Sequence, residues 1–151
     1  MTYEELLIEA DNNNLITKEK PLPISKGRIK GNRIAIRKGM TETEKACVLA
    51  EELGHYYTAT GDILNQSSVA NRKQEMSGRI LAYNKQVGLL GIIDAYNHHC
   101  QNAFEVAEYL GVTEEFLNDT LKYYKSKYGM STTVDNYAII FEPSVAVIEL
   151  I

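Results

Sequence analysis

The chain has 151 residues, 44% of them apolar and 24% charged, and a net charge of −4. These values suit one globular domain spanning residues 1–151 and exclude a disordered chain; the negative balance speaks against a nucleic-acid-binding surface. No apolar run nears the ~20 residues that cross a bilayer, and Met1-Thr2-Tyr3-Glu4-Glu5 lacks the basic start of a secretory signal.

Residues 3–10 put Leu6, Leu7 and Ala10 on one helical face, and the polar run 11–14 predicts its end. Pro21 and Pro23 mark an extended connection. Residues 27–37 read as a hairpin turning at Gly31-Asn32, with Ile29, Ile34 and Ile36 alternating against Arg28, Lys30, Arg33 and Arg37. Thr41-x-x-Glu44 is a capping box, so a helix is predicted from there to about Gly61. Further helices are predicted over about 69–86, 91–101, 103–110 and 113–127, the last capped by Thr113. Residues 137–141 and 145–151 have strand composition. Cys47 and Cys100 are too few for a disulfide framework and form no C-x-x-C pair, which points to a reducing cytoplasm.

Residues 51–55 read Glu51-Glu52-Leu53-Gly54-His55, one change away from the zinc-peptidase pattern H-E-x-x-H. Positions i and i+4 of a helix share a face, so Glu51 and His55 can grip one ion while Glu52 acts on water beside it. A catalytic zinc site needs a third ligand and an open position. Glu75, at the start of the next predicted helix, is the best candidate; Gly78 and Ala82 follow on roughly the same side and would let the two helices approach. A set of two carboxylates and one imidazole is harder than a two-histidine site. It favours Mn²⁺, Mg²⁺ or Ca²⁺ relatively more than the usual set does, and Zn²⁺ remains the leading ion. Glu51 as a ligand and Glu51 turned away are both open.

VLAEELGHYYT followed by KQEMSGRILAYN resembles the ImmA/IrrE family of metallo-endopeptidases. Its members carry H-E-x-G-H on one helix and a glutamate opening the next, in a pattern like E-x-x-A-x-x-x-A. The hairpin, the GVTEEFL helix pair and the strand-like C-terminus are similar too, so the resemblance covers nearly the whole chain. It implies an α+β, zincin-like metallopeptidase fold, with a helical majority and a small antiparallel sheet. It implies His55, Glu75 and, by position, Glu51 as metal ligands, and Glu52 as general base. It also implies a protein partner, a helix-turn-helix repressor of a phage or mobile element, with no direct contact to nucleic acid or membrane. Gly78 stands where the family has alanine. Three activities follow as expectations: cleavage of the repressor, its sequestration without cleavage, or a toxin-like role in a two-gene module.

Other features have plainer readings. His98 and His99 are adjacent and fall on different helix faces; one partly buried and one exposed ring is expected, against a distant replacement ligand. Tyr56 and Tyr57 are expected to pack rather than to bind an oxyanion. Asp62 reads as a turn cap or as an acceptor for His55. Residues 103–124 resemble a helix-turn-helix, yet Glu114, Glu115 and Asp119 stand where phosphates would lie, so a structural pair is expected. The basic hairpin face reads as a solvated surface or as an attractor of an acidic partner. Residues 33–37 are expected to form an edge along which an extended substrate could add.

Overall fold

Two helices of the chain start by the same device. Thr2 Oγ1 accepts from the Glu5 backbone N–H at 3.1 Å while Glu5 Oε1 accepts from that of Thr2 at 3.0 Å, opening α1 (Tyr3–Asn12). Thr41 and Glu44 repeat the exchange at 3.1 and 3.4 Å ahead of α2 (Glu42–Thr58), as the sequence predicts. Such caps contribute about 1 kcal/mol each by satisfying N–H groups that no helical carbonyl reaches. The computed structural model describes residues 1–59 and 68–151, which divide into two compact units, Met1–Lys85 and Gln86–Ile151.

In the first unit α1 packs on α2, and α2 packs on a three-stranded sheet. β2 (Gly27–Lys30) and β3 (Arg33–Arg37) form the predicted hairpin, with Ile29 opposite Ile34, and Gly31 takes the positive φ (60°) of the turn. β1 (Ile16–Lys20) adds to β3 in parallel. This strand, ITKEK, has one apolar residue and no alternation, so its pattern gave no signal; it is held by backbone pairing. The strand order is β1-β3-β2, which places residues 33–37 in the middle of the sheet. The expectation of an edge there is corrected: β2 and β1 are the edges. Ile34 and Ile36 turn inward with Leu6, Leu49 and Leu53 to make the core. α3 (Ser68–Gln86) buries Ala82 and Tyr83 and leaves Leu81 exposed. α2 ends at Thr58, while Gly61 and Asp62 lie outside the described residues.

The second unit holds α4 (Gly88–Asn97), α5 (Ala103–Leu110) and α6 (Glu114–Tyr128). An antiparallel sheet follows, β4 (Ser131–Val134), β5 (Tyr137–Ile140) and β6 (Ala146–Glu149) in that order. α4 begins three residues earlier than predicted and stops at Asn97. Thr113 caps α6 by accepting from the Phe116 N–H at 3.1 Å. β4, composed STTV, was not anticipated. Leu117, Tyr124 and Ile139 are buried at its core. The fold is α+β and helix-dominant, with two small sheets where one was expected, and the first sheet is mixed. No described helix is long and apolar enough to cross a membrane.

Candidate metal centre

Glycines set the distance between α2 and α3. A Cβ added at Gly54 would stand 2.1 Å from the Gly78 carbonyl oxygen, and one at Gly78 would stand 2.1 Å from His55 Nδ1. The close approach expected at Gly78 is thus found, and Ala82 nearby is buried. The His55 ring fills the space that a methyl group at position 78 would need. Alanine there would require the His55 ring to shift.

The approach brings His55 Nε2 to 3.4 Å from Glu75 Oε2. That is beyond ordinary hydrogen-bond length. Two donors held about 2.0–2.1 Å from one tetrahedral ion lie about 3.4 Å apart, so the pair fits two positions on a zinc-like ion. Burial pushes the His55 imidazole below its usual pKa; Glu75 opposes this and Arg79 reinforces it. A neutral ring is the form that binds metal. The other Glu75 oxygen, Oε1, faces Arg79 at 3.4 Å, one helical turn on.

Glu52 is 8% exposed. Burial, with the charges of Glu51 and Glu75 adding to it, pushes its carboxyl up to about 7. β2 provides much of the cover: a Cβ added at Gly27 would stand 2.4 Å from Val48 Cγ1 and 3.0 Å from Glu52 Oε1. Glu52, His55 and Glu75 line one cavity of about 430 Å³, with Gly27, Arg28 and Ile29 of β2 along its side. Asn71 and Gln74 of α3 add amide groups to the lining.

Glu51 is half-buried and precedes His55 by one turn, yet it does not line that cavity. Among the described residues no group of three His, Cys, Asp or Glu side chains stands together as a metal cluster. His55, Glu75 and Glu52 share one cavity lining, while Glu51, whose charge still reaches Glu52, is not among the residues that line it.

The remaining candidates fall elsewhere. Tyr57 is 41% exposed. Its hydroxyl donates to Glu9 Oε2 at 2.7 Å and accepts from Asn13 Nδ2 at 3.0 Å, while Lys85 pairs with Glu9. Burial and the Glu9 carboxylate push the phenol up to about 12. Tyr57 is thus a surface tie from α2 to α1, a correction to the packing expectation, because its hydroxyl meets a carboxylate. His98 and His99 lie in the second unit and both are exposed, where one partly buried ring was expected; His98 stacks on Tyr109 at 4.5 Å between ring centres.

Sequence reasoning missed Gly27, Arg28, Asn71, Gln74 and Arg79 as residues of this neighbourhood. Arg79 alone had a usable signal, the i, i+4 spacing from Glu75 that favours a helical ion pair. The others enter because β2 and α3 converge on α2.

A protein-family model described as the IrrE N-terminal-like domain, a peptidase family, matches residues 10–122. That match spans α2 and α3 and stops before β4. No curated protein and no solved structure is significantly similar to the chain.

Proposed function

The chain belongs to the IrrE N-terminal-like peptidase family, and from that premise we propose that it is a cytoplasmic metal-dependent endopeptidase. Its substrate is a regulatory protein, for which a helix-turn-helix repressor of a phage or mobile element is the leading candidate. The observation that carries this reading is the 3.4 Å separation of His55 Nε2 and Glu75 Oε2 beside a buried Glu52.

His55 and Glu75 would hold the ion, Zn²⁺ first and Mn²⁺ second, with Glu51 as the proposed third ligand. A divalent cation there supplies Lewis acidity to water and to the scissile carbonyl. Glu52 receives the proton of the attacking water and passes it to the leaving amine. The burial of Glu52 beside His55 and Glu75 puts a carboxyl where both halves of that transfer need one. The edge strand β2, which borders the cavity through Gly27, Arg28 and Ile29, offers backbone groups to an extended substrate.

Titration calorimetry with Zn²⁺ and Mn²⁺ tests the ligand set. Glu75→Gln is expected to lower affinity at least about tenfold, and Glu51→Ala to do so too. Nanomolar zinc affinity untouched by Glu51→Ala removes Glu51 from the set. Cleavage is tested by incubation with the repressor encoded in a neighbouring reading frame; fragments that vanish with Glu52→Gln support the proposal. A carboxylate at Glu51, where the family has a histidine, favours a second reading, sequestration of the partner without cleavage. A stable complex with no fragments at saturating Zn²⁺ and Mn²⁺ selects it.

A further inference from the structure

The outer face of the first sheet collects positive charge. Register puts Lys18 and Lys20 of β1, Arg33 and Arg37 of β3, and Arg28 and Lys30 of β2 on the same side. The remaining positions on that side are Ile16 and Ala35. Glu19, the single acid of the three strands, lies on the opposite face and pairs with Lys45 at 2.9 Å. None of the six cations forms an ion pair with a described residue.

Cations on an edge strand have an ordinary explanation, the prevention of edge-to-edge pairing. That explanation covers β1 and β2. It gives no reason for Arg33 and Arg37 on the central strand, and Arg37 Nε is buried without a hydrogen-bond partner among the described residues. A hollow of about 190 Å³ opens on this face, lined by Ile16 and Ala35 as well as five of the cations. Arg28 lines both this hollow and the cavity of His55 and Glu75, so the two lie on either side of one residue of β2.

We propose that this sheet face docks an acidic protein segment carrying interspersed aliphatic residues, and delivers the chain beyond it to the cavity past Arg28. The proposal rests on the reading of the protein as one that receives a protein substrate or partner. The cations recognise carboxylates and the hollow takes an aliphatic side chain. The face measures about 10 Å across three strands and about 17 Å along them, enough for a short extended segment. A nucleic acid fits less well: the chain is acidic overall, and a long polyanion would leave the patch at once. Field complementarity of this kind chiefly raises the association rate and selects the partner.

The test is fluorescence anisotropy with a labelled peptide rich in glutamate and bearing scattered leucines. Its lysine-for-glutamate counterpart and a single-stranded oligonucleotide of equal length serve as comparators. Wild-type protein is expected to bind the acidic peptide, more weakly as salt rises. The triple variant Lys18→Glu, Lys30→Glu, Arg33→Glu is expected to lose at least about tenfold in affinity. A variant of equal charge change, Lys122→Glu, Lys125→Glu, Lys127→Glu, is expected to keep it. Circular dichroism melts identify any variant that fails to fold, and single reversals at Lys18 and Lys30 then replace the triple. Equal loss in both triple variants overturns the proposal. So does no binding, preference for the oligonucleotide, or displacement of the peptide by self-association of the protein. Because binding is read without cleavage, peptide capture by an inactive Glu52→Gln protein separates this proposal from the catalytic one.

Discussion

Both units have glycines that turn the backbone, Gly31 and Gly39 among them, but the first also has glycines of another kind. In the first unit Gly27, Gly54 and Gly78 stand where an added Cβ would meet another atom at 2.1–2.4 Å. They let β2, α2 and α3 converge on Glu52 and His55. In the second unit Gly88, Gly111 and Gly129 have φ of 68–79° and nothing within 4 Å of an added Cβ. They turn the backbone. Charge differs as well: the first unit carries 13 of the 16 lysines and arginines and 11 of the 20 acids, the second 3 and 9. Close-approach glycines mark where function constrains packing, and turning glycines mark where topology does.

The comparison can be broken most sharply at Glu52. Glu52→Gln is expected to lower cleavage at least about 100-fold with metal content unchanged. His98→Ala and His99→Ala in the second unit are expected to leave both alone. Assay of fragments alongside metal analysis checks all three.

Gly54→Ala is expected to cost about 3 kcal/mol, because the new methyl meets a backbone carbonyl that can move only with its helix. The second unit's helical Gly91 makes the contrast: its added Cβ meets the tip of Leu110, Cδ2 at 3.3 Å and Cδ1 at 3.9 Å. Gly91→Ala should therefore stay within about 1 kcal/mol of neutral, since helix propensity offsets a small adjustment. Urea unfolding of the two variants decides it.

Glu52 also predicts a pH dependence in the presence of chelator. Its carboxyl is held at about 7 in the folded protein against 4.5 for the ordinary group. Between those values the folded state keeps a proton that the unfolded chain has lost. Stability from this group is therefore full below 4.5 and falls as pH rises to about 7, by roughly 3 kcal/mol. Glu52→Gln removes the fall, so calorimetry at pH 5 and pH 8 should show the variant gaining on wild type at the higher pH. Tyr57→Phe, which loses the bonds to Glu9 and Asn13 at a half-open surface, should cost at most about 1 kcal/mol in the same measurement.

Elements with local signals were legible in the chain. Thr41 with Glu44, Gly31-Asn32, and Thr113 announce their caps and turn through short-range chemistry. Glu52 and His55 were legible through helical spacing, and Glu75 through its place at the start of the next helix and the family's motif. β1 and β4 were not, because ITKEK and STTV owe their strand state to partners distant in sequence. The place of residues 33–37 in the sheet followed from β1 as well, so the edge was assigned to the wrong strand.

The sequence by itself determined the family, the helical majority and the three residues that meet at the cavity, since each depends on spacing within one helix or on a quoted motif. Tertiary structure alone decided that the His55 ring sits against Gly78, that β2 borders the cavity through Arg28, and that Lys18 and Lys20 join the four hairpin cations on one sheet face. Those facts depend on which strands pair and how closely two helices approach, and neither is encoded in any short stretch of chain.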